Sequence, residues 1–79
     1  MKYRNGIQIQ VEDQIQFDNY DTGKVVCDIG NSHYTEQYTK NNWSYLKEGI
    51  LVVSYEIGLL HYPDEKYLDF SLKKRDVVE

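Results

Sequence analysis

Apolar and polar residues alternate along two short segments near the start of the chain. The first segment covers residues 7–11 and has the sequence IQIQV, which places its three apolar side chains on one face of an extended backbone. The alternation breaks at Glu12-Asp13 and resumes over residues 14–18. Because successive strand side chains point to opposite faces, both segments are predicted to be half-buried β-strands.

A cluster of turn-forming residues follows the second of these segments. Residues 18–23 have the sequence DNYDTG, which predicts the connection of a hairpin. Residues 24–29 form its second arm, where strict alternation would put Val25, Cys27 and Ile29 on one face and Lys24 and Val26 on the other.

Residues 33–49 have neither strand nor sustained helical periodicity and are predicted to form a long loop with one short helical turn. Asn41 or Asn42 can cap this turn, and Gly49 stands where a left-handed residue would end it. Trp43 and Leu46 are three residues apart and share one side of the turn, so they are predicted to plug the mouth of the fold.

Three further strands are predicted in the second half of the chain. Residues 50–56 form the most apolar run, which is typical of an interior strand covered on both faces. Residues 59–62 form the next strand, which Pro63 ends because proline has no N–H to donate. The last strand covers residues 68–72, and the remaining residues 73–79 are predicted to be a frayed or solvent-facing tail.

These patterns together predict an all-β fold. Five or six short antiparallel strands, separated by turns and one long loop, are typical of a small, strongly bent barrel, and no domain boundary divides residues 1–79. The composition agrees, since the chain has no alanine but has eight tyrosines, two phenylalanines and one tryptophan.

The charge balance limits the classes of partner. Nine lysines and arginines against thirteen aspartates and glutamates give a net charge of −4, which disfavours non-specific binding to nucleic acid. The chain has no apolar run of about 20 residues and its start lacks the apolar segment of a signal peptide, so it is predicted to be cytoplasmic.

Two parts of the chain resemble known proteins. Residues 11–17, VEDQIQF, followed by Gly23-Lys24-Val25-Val26 are similar to the first half of SH3-like barrels. Residues 43–52, WSYLKEGILV, and residues 58–62, GLLHY, resemble a group of small bacterial proteins of largely uncharacterised function. Some proteins of that group resemble immunity or accessory proteins encoded beside secreted toxins. The resemblance implies an SH3-like barrel over residues 7–72 and a role in binding a toxin.

Residues that commonly act in catalysis are few, and their positions do not predict an active site. Cys27 could pair with His33 or His61 as nucleophile and base, but its position on the apolar face of a strand favours a small buried side chain. The two histidines are not spaced as metal ligands, and the glycines are dispersed at element ends instead of forming a phosphate loop. The sequence therefore predicts no catalytic residue, no metal and no cofactor.

The strongest functional signal is an aromatic-rich loop with acidic neighbours. Tyrosine and tryptophan concentrate in protein-binding hot spots because they offer large contact areas at small entropic cost. The predicted partner-binding residues are Tyr34, Glu36, Tyr38, Trp43, Tyr45, Glu48 and Tyr55. The alternative to partner binding is that these aromatic side chains are packed in the fold, and this alternative is strongest for Trp43.

The leading hypothesis is a non-enzymatic module that uses this loop and an adjacent strand edge to bind a basic toxin or effector. The alternative is a barrel that binds single-stranded nucleic acid, with Tyr34, Tyr38 and Trp43 stacking on bases. Its phosphate contacts would come from Lys40, Lys47, Lys73, Lys74 and Arg75. An aromatic cage for one cation and a homodimer formed through an exposed strand edge also stay open.

Overall fold

Five β-strands and one short helical segment form the regular structure of residues 1–75, which are the residues that the computed structural model describes. The strands are β1 (Gln14–Phe17), β2 (Thr22–Asp28), β3 (Ile50–Ser54), β4 (Gly58–Tyr62) and β5 (Phe70–Lys74). Helix α1 (Lys40–Trp43) continues into a 3-10 turn at Ser44–Leu46, and a second 3-10 turn at Glu65–Tyr67 precedes β5. Neither α1 nor these turns are long and apolar enough to cross a membrane.

All five strands pair antiparallel in one sheet, in the order β4-β3-β2-β1-β5. The first four strands follow one another along the chain, and β5 returns to pair with β1. The prediction of an all-β fold of five or six antiparallel strands with a helical turn in a long loop is confirmed, and the number of strands is five. Residues 18–21 connect β1 to β2, as the hairpin prediction required.

The sheet curls around a core of aromatic rings. Phe70 of β5 is fully buried and makes edge-to-face contacts with Phe17, Tyr62 and Tyr3, at ring centroid distances of 5.6, 5.1 and 6.1 Å. Tyr62 belongs to β4 and Phe70 to β5, which are the two ends of the sheet order. Side-chain packing therefore brings the two edges of the sheet together, although no ladder between β4 and β5 is present among residues 1–75.

A β-bulge in β2 changes which face each of its side chains occupies. Val25 pairs with Val52 and Cys27 pairs with Leu51, so Val26 is an extra residue without an opposite partner. Strict alternation placed Cys27 and Ile29 on the face of Val25, and that prediction is wrong. The extra residue shifts the register. Both side chains therefore pack with Val26 on the face of the sheet opposite the aromatic core, which is called the outer face.

The predicted strand at residues 7–11 is also wrong. This segment makes only one isolated bridge, between Lys2 and Gln8, and folds back on the first residues of the chain. Its backbone bonds are local, since the Ile9 N–H donates to the Met1 carbonyl and the Tyr3 N–H to the Ile7 carbonyl. Ile9 is buried as alternation predicts, whereas Ile7 is exposed.

The chain stays ordered beyond the predicted end of the last strand. Lys73 and Lys74 belong to β5 and are solvent-facing, where the sequence predicted a frayed or solvent-facing tail. The Arg75 guanidinium makes an ion pair with the buried Asp13 carboxylate. The rest of the predicted tail, residues 76–79, lies outside the described residues.

Candidate functional site

The long loop between β2 and β3 covers the outer face of the sheet. Four buried residues form a second apolar cluster on this face, the outer cluster: Val26, Cys27, Ile29 and Leu51. Half-buried side chains from the loop and β3 pack against it, namely Tyr34, Tyr38, Trp43, Leu46 and Val53. Trp43 and Leu46 therefore lie over the outer face of the sheet, where the sequence predicted a plug in the barrel mouth.

Hydrogen bonds fix one part of this loop to β2. The Thr35 hydroxyl donates to the Val26 carbonyl at 3.0 Å, and the Cys27 thiol donates to the Tyr38 carbonyl at 3.2 Å. Thr35 and Tyr38 also exchange backbone hydrogen bonds with each other. The segment from Tyr34 to Tyr38 is thus a short, anchored bend instead of a free loop.

This bend forms one wall of an open groove of about 760 Å³. The turn at Val11 and Glu12 and side chains of β2 and β3 contribute to the rest of the lining. The full lining is Val11, Glu12, Lys24, Val26, Tyr34, Thr35, Glu36, Gln37, Tyr38, Val53 and Tyr55.

Strand pairing explains why Lys24 and Val53 line the same groove. Lys24 of β2 pairs with Val53 of β3, and Val53 pairs with Leu59 of β4, so the three side chains form a row across the outer face. Lys24 Nζ lies 2.5 Å from the Glu12 carboxylate, and both side chains are about half exposed. The ion pair places one positive and one negative charge at the same side of the groove.

Four of the seven predicted site residues line this groove. They are Tyr34, Glu36, Tyr38 and Tyr55. Tyr55 comes from the β3–β4 turn, far from the loop in sequence, and its side chain is 81% exposed. The structure thus brings the loop aromatics and a distant exposed tyrosine to one surface.

The other three predicted residues lie outside the groove lining. Trp43 contacts Tyr38, with ring centroids 6.0 Å apart, and Tyr45 stacks on Trp43 at 6.2 Å. The Glu48 side chain is exposed, and its backbone carbonyl accepts a hydrogen bond from His61 Nε2 at 2.9 Å. Trp43 packs against Tyr38 and so supports the groove wall, whereas Glu48 lies beside β4.

Several residues of the groove are not among the sequence-predicted site residues, and Glu12, Lys24 and Val53 are the most informative of them. Alternation along β2 gave a signal for Lys24, since it placed this residue on the face opposite Val25. Glu12 gave no such signal because it occurs in a turn, where its φ of 78° lies in the left-handed region. Its place in the groove depends on how that turn meets the sheet.

The titratable side chains of the groove are two carboxylates, one lysine and three tyrosines. Glu12 is paired with Lys24, so Glu36 leaves the lining with an excess of one negative charge. Over residues 1–75, no group of three or more histidine, cysteine or acidic side chains is placed to hold a metal ion. Aromatic and aliphatic surface with a few charges at its margin is typical of a binding site for another molecule.

Comparisons with models of protein families, with curated proteins and with solved structures found no match for this chain. The resemblance to SH3-like and immunity proteins therefore remains a prediction. The groove itself is therefore the basis for a functional proposal.

Proposed function

We propose that this chain is a non-enzymatic module that binds a partner protein in the groove between the Tyr34–Tyr38 bend and the sheet. The observation that carries this proposal is the convergence of Tyr34, Tyr38 and Tyr55 on one open surface. Packing explains part of the burial of the two loop tyrosines. It does not explain Tyr55, which is 81% exposed and would contribute a large contact area to a complex.

The partner that fits this groove best is basic. The chain carries a net charge of −4, and the groove lining has one unbalanced carboxylate at Glu36. Glu56 follows Tyr55 directly in the chain and is also exposed. Such a field attracts a cationic surface and speeds its association, while the tyrosine rings also offer faces to lysine or arginine.

A basic toxin or effector, bound and blocked in the cytoplasm of a bacterium, is the biological form of this proposal. The sequence resemblance to immunity and accessory proteins motivates it. An SH3-like identity for the barrel belongs to the same proposal and is supported by the five-stranded sheet whose last strand returns to the first. The groove residues are then the ones that contact the toxin.

The structure gives less support to the nucleic-acid alternative. Arg75 was one of its expected phosphate contacts, yet its guanidinium is held by Asp13. Lys73 and Lys74 lie on β5, and the groove lies over β2 and β3. The charged side chains of the groove are therefore two carboxylates and one lysine that is paired with one of them, where a nucleic-acid site needs several basic side chains.

Affinity capture from the native lysate tests the proposal, with nuclease treatment and at two salt concentrations. The baits are the wild-type chain, the charge reversal Glu36→Lys and the matched reversal Glu48→Lys, which changes an exposed acid outside the groove. We expect one basic protein at equal stoichiometry with the wild type and Glu48→Lys, and its loss with Glu36→Lys. Equal capture by all three baits, or recovery of nucleic acid alone, would overturn the proposal.

A further inference from the structure

The two edges of the sheet differ in charge. Strands β4 and β5 end the strand order, so each has one side without a strand partner among residues 1–75. Strand β5 carries Lys73 and Lys74, and edge lysines are a common protection against the addition of another strand. Strand β4 has the sequence GLLHY and carries no acidic residue, lysine or arginine.

The edge of β4 away from β3 has no backbone partner among residues 1–75, although its last residue, Tyr62, packs against Phe70 of β5. The ladder of β4 runs over its whole length with β3, and no further backbone hydrogen bond of Gly58–Tyr62 is present among residues 1–75. Leu59 and His61 are exposed on the outer face of the sheet, and Leu59 is 39% exposed. An unprotected edge of this kind can receive an extended peptide through main-chain hydrogen bonds.

This edge is continuous with the groove. The side-chain row Lys24, Val53 and Leu59 starts in the groove and ends at β4. A strand added beside β4 would place one side chain next to Leu59 and so extend the same row. One partner molecule can therefore occupy both surfaces without a gap between them.

Acidic residues lie at both ends of β4, which itself has no acidic residue, lysine or arginine. Glu56 lies in the turn before β4, and Asp64 and Glu65 follow it after Pro63. A segment with apolar residues in its middle and basic residues at both ends would complement this arrangement. A second copy of this chain fits less well, because antiparallel pairing centred on Leu60 would set Glu56 opposite Asp64 of the other copy.

We infer that β4 receives an extended segment of the partner protein as a sixth strand of the sheet, with alternating apolar residues and a lysine or arginine near each end. The inference rests on the proposed function, since it names the way in which the same partner is held. It adds a second contact, made by backbone groups, to the side-chain contacts of the groove.

The probe for this inference is a short synthetic peptide that alternates valine and threonine and has a lysine at each end. Amide hydrogen exchange and backbone chemical shifts of the full chain are measured by NMR with and without the peptide. We expect slower exchange of β4 amides, and weaker binding when alternate peptide amides are N-methylated or when glutamates replace the terminal lysines.

Two substitutions at exposed edge positions complete the test. Leu59→Lys introduces a charge that repels the basic peptide and removes apolar contact, so we expect at least about a tenfold rise in Kd. Ser71→Lys adds the same charge at an exposed position of β5 and should leave the Kd unchanged.

The possible outcomes separate this inference from the proposed function. Peptide-induced shifts confined to the groove, without protection of β4, would overturn the sixth strand and leave the groove proposal standing. Protection of β4 without any change in the groove would support the sixth strand as a contact that is separate from the groove, and the groove proposal would then depend on the partner-binding tests alone. A dimer through β4 in sedimentation of the free chain, or no binding by the peptide, would overturn the inference.

Discussion

Arg75 and Asp13 form a two-point ion pair between the end of β5 and the residue before β1. The Nε–Oδ1 distance is 2.8 Å and the Nη2–Oδ2 distance is 2.9 Å. The Asp13 carboxylate is 1% exposed and also accepts from the Tyr3 hydroxyl at 2.7 Å and the Gln10 N–H at 2.9 Å. One buried carboxylate thus joins the N-terminal segment, the entry to β1 and the last described residue.

Removal of the guanidinium should destabilise the fold. In Arg75→Met, Asp13 keeps its buried charge but loses its cationic partner, and we expect a loss of about 2 kcal/mol in the free energy of unfolding. Urea denaturation followed by circular dichroism measures this loss.

Lys74→Met is the matched control, because it removes a neighbouring exposed cation of β5. Its effect should stay within about 0.5 kcal/mol. Equal stabilities of Arg75→Met and Lys74→Met would show that the ion pair between Arg75 and Asp13 does not stabilise the fold.

The Asp13 carboxylate should also make the free energy of unfolding depend on pH. Burial alone would raise the pKa of Asp13, but hydrogen bonds from Arg75, Tyr3 and the Gln10 N–H outweigh burial and lower the pKa. A carboxyl whose pKa is lowered by folding stabilises the protein above its unfolded pKa of about 4, and this stability is lost as the pH falls through the folded pKa.

We therefore expect the urea midpoint to fall between about pH 5 and pH 2. Asp13→Asn should be less stable at neutral pH and should show a shallower fall, because the pKa values of Asp18 and Asp21 are also lowered and sustain the remaining dependence. An unchanged slope in Asp13→Asn would contradict the assignment.

These contacts also show what the sequence could predict. Alternation located β1 and the part of β2 before the bulge, because buried and less buried side chains alternate there. The same alternation occurs over residues 7–11, yet no strand forms there. Periodicity identified the buried Ile9 but not the exposed Ile7, and it does not report whether the backbone finds a strand to pair with. The bulge at Val26 was not predictable for a similar reason, since it depends on the register with β3.

The candidate site was predicted in part for equally physical reasons. The enrichment of aromatic residues in one loop is a local signal, and Tyr34 and Tyr38 do line the groove. Lys24 and Val53 line the groove, and Glu48 lies near His61 instead of in the groove. Both placements depend on contacts between residues that are distant in sequence. Residues that are distant in sequence meet only when the loop folds over the outer face of the sheet.

The thiol of Cys27 should report on this loop. It is fully buried under the bend, donates to the Tyr38 carbonyl, and burial raises its pKa. We expect Ellman's reagent to label the native protein at least about tenfold more slowly than the unfolded chain.

Loosening the bend should expose this thiol. Tyr38→Ser should accelerate the labelling, whereas Tyr55→Ser should not, because Tyr55 is exposed and does not pack on the outer cluster. Fast labelling of the native wild type would contradict a loop that covers the sheet.

Trp43 should contribute moderately to stability. Its half-buried ring packs on the outer cluster and contacts Tyr38 and Tyr45. Trp43→Ala should therefore destabilise the protein by about 2 kcal/mol, less than the roughly 3–5 kcal/mol typical of a fully buried tryptophan. Thermal unfolding measures the loss, and Tyr45→Ala, at an exposed ring, should melt close to the wild type. Unchanged melting of Trp43→Ala would show that the ring is not part of the packing.

The most direct test of the groove as the binding site is isothermal titration of the captured partner with three forms of the chain. They are the wild type, Tyr55→Ser and Tyr20→Ser, which remove matched tyrosines that are 81% and 84% exposed, inside and outside the groove. We predict equal folding stability for all three, an affinity loss of at least about tenfold for Tyr55→Ser, and none for Tyr20→Ser. Equal affinities of Tyr55→Ser and the wild type would contradict the groove as the site.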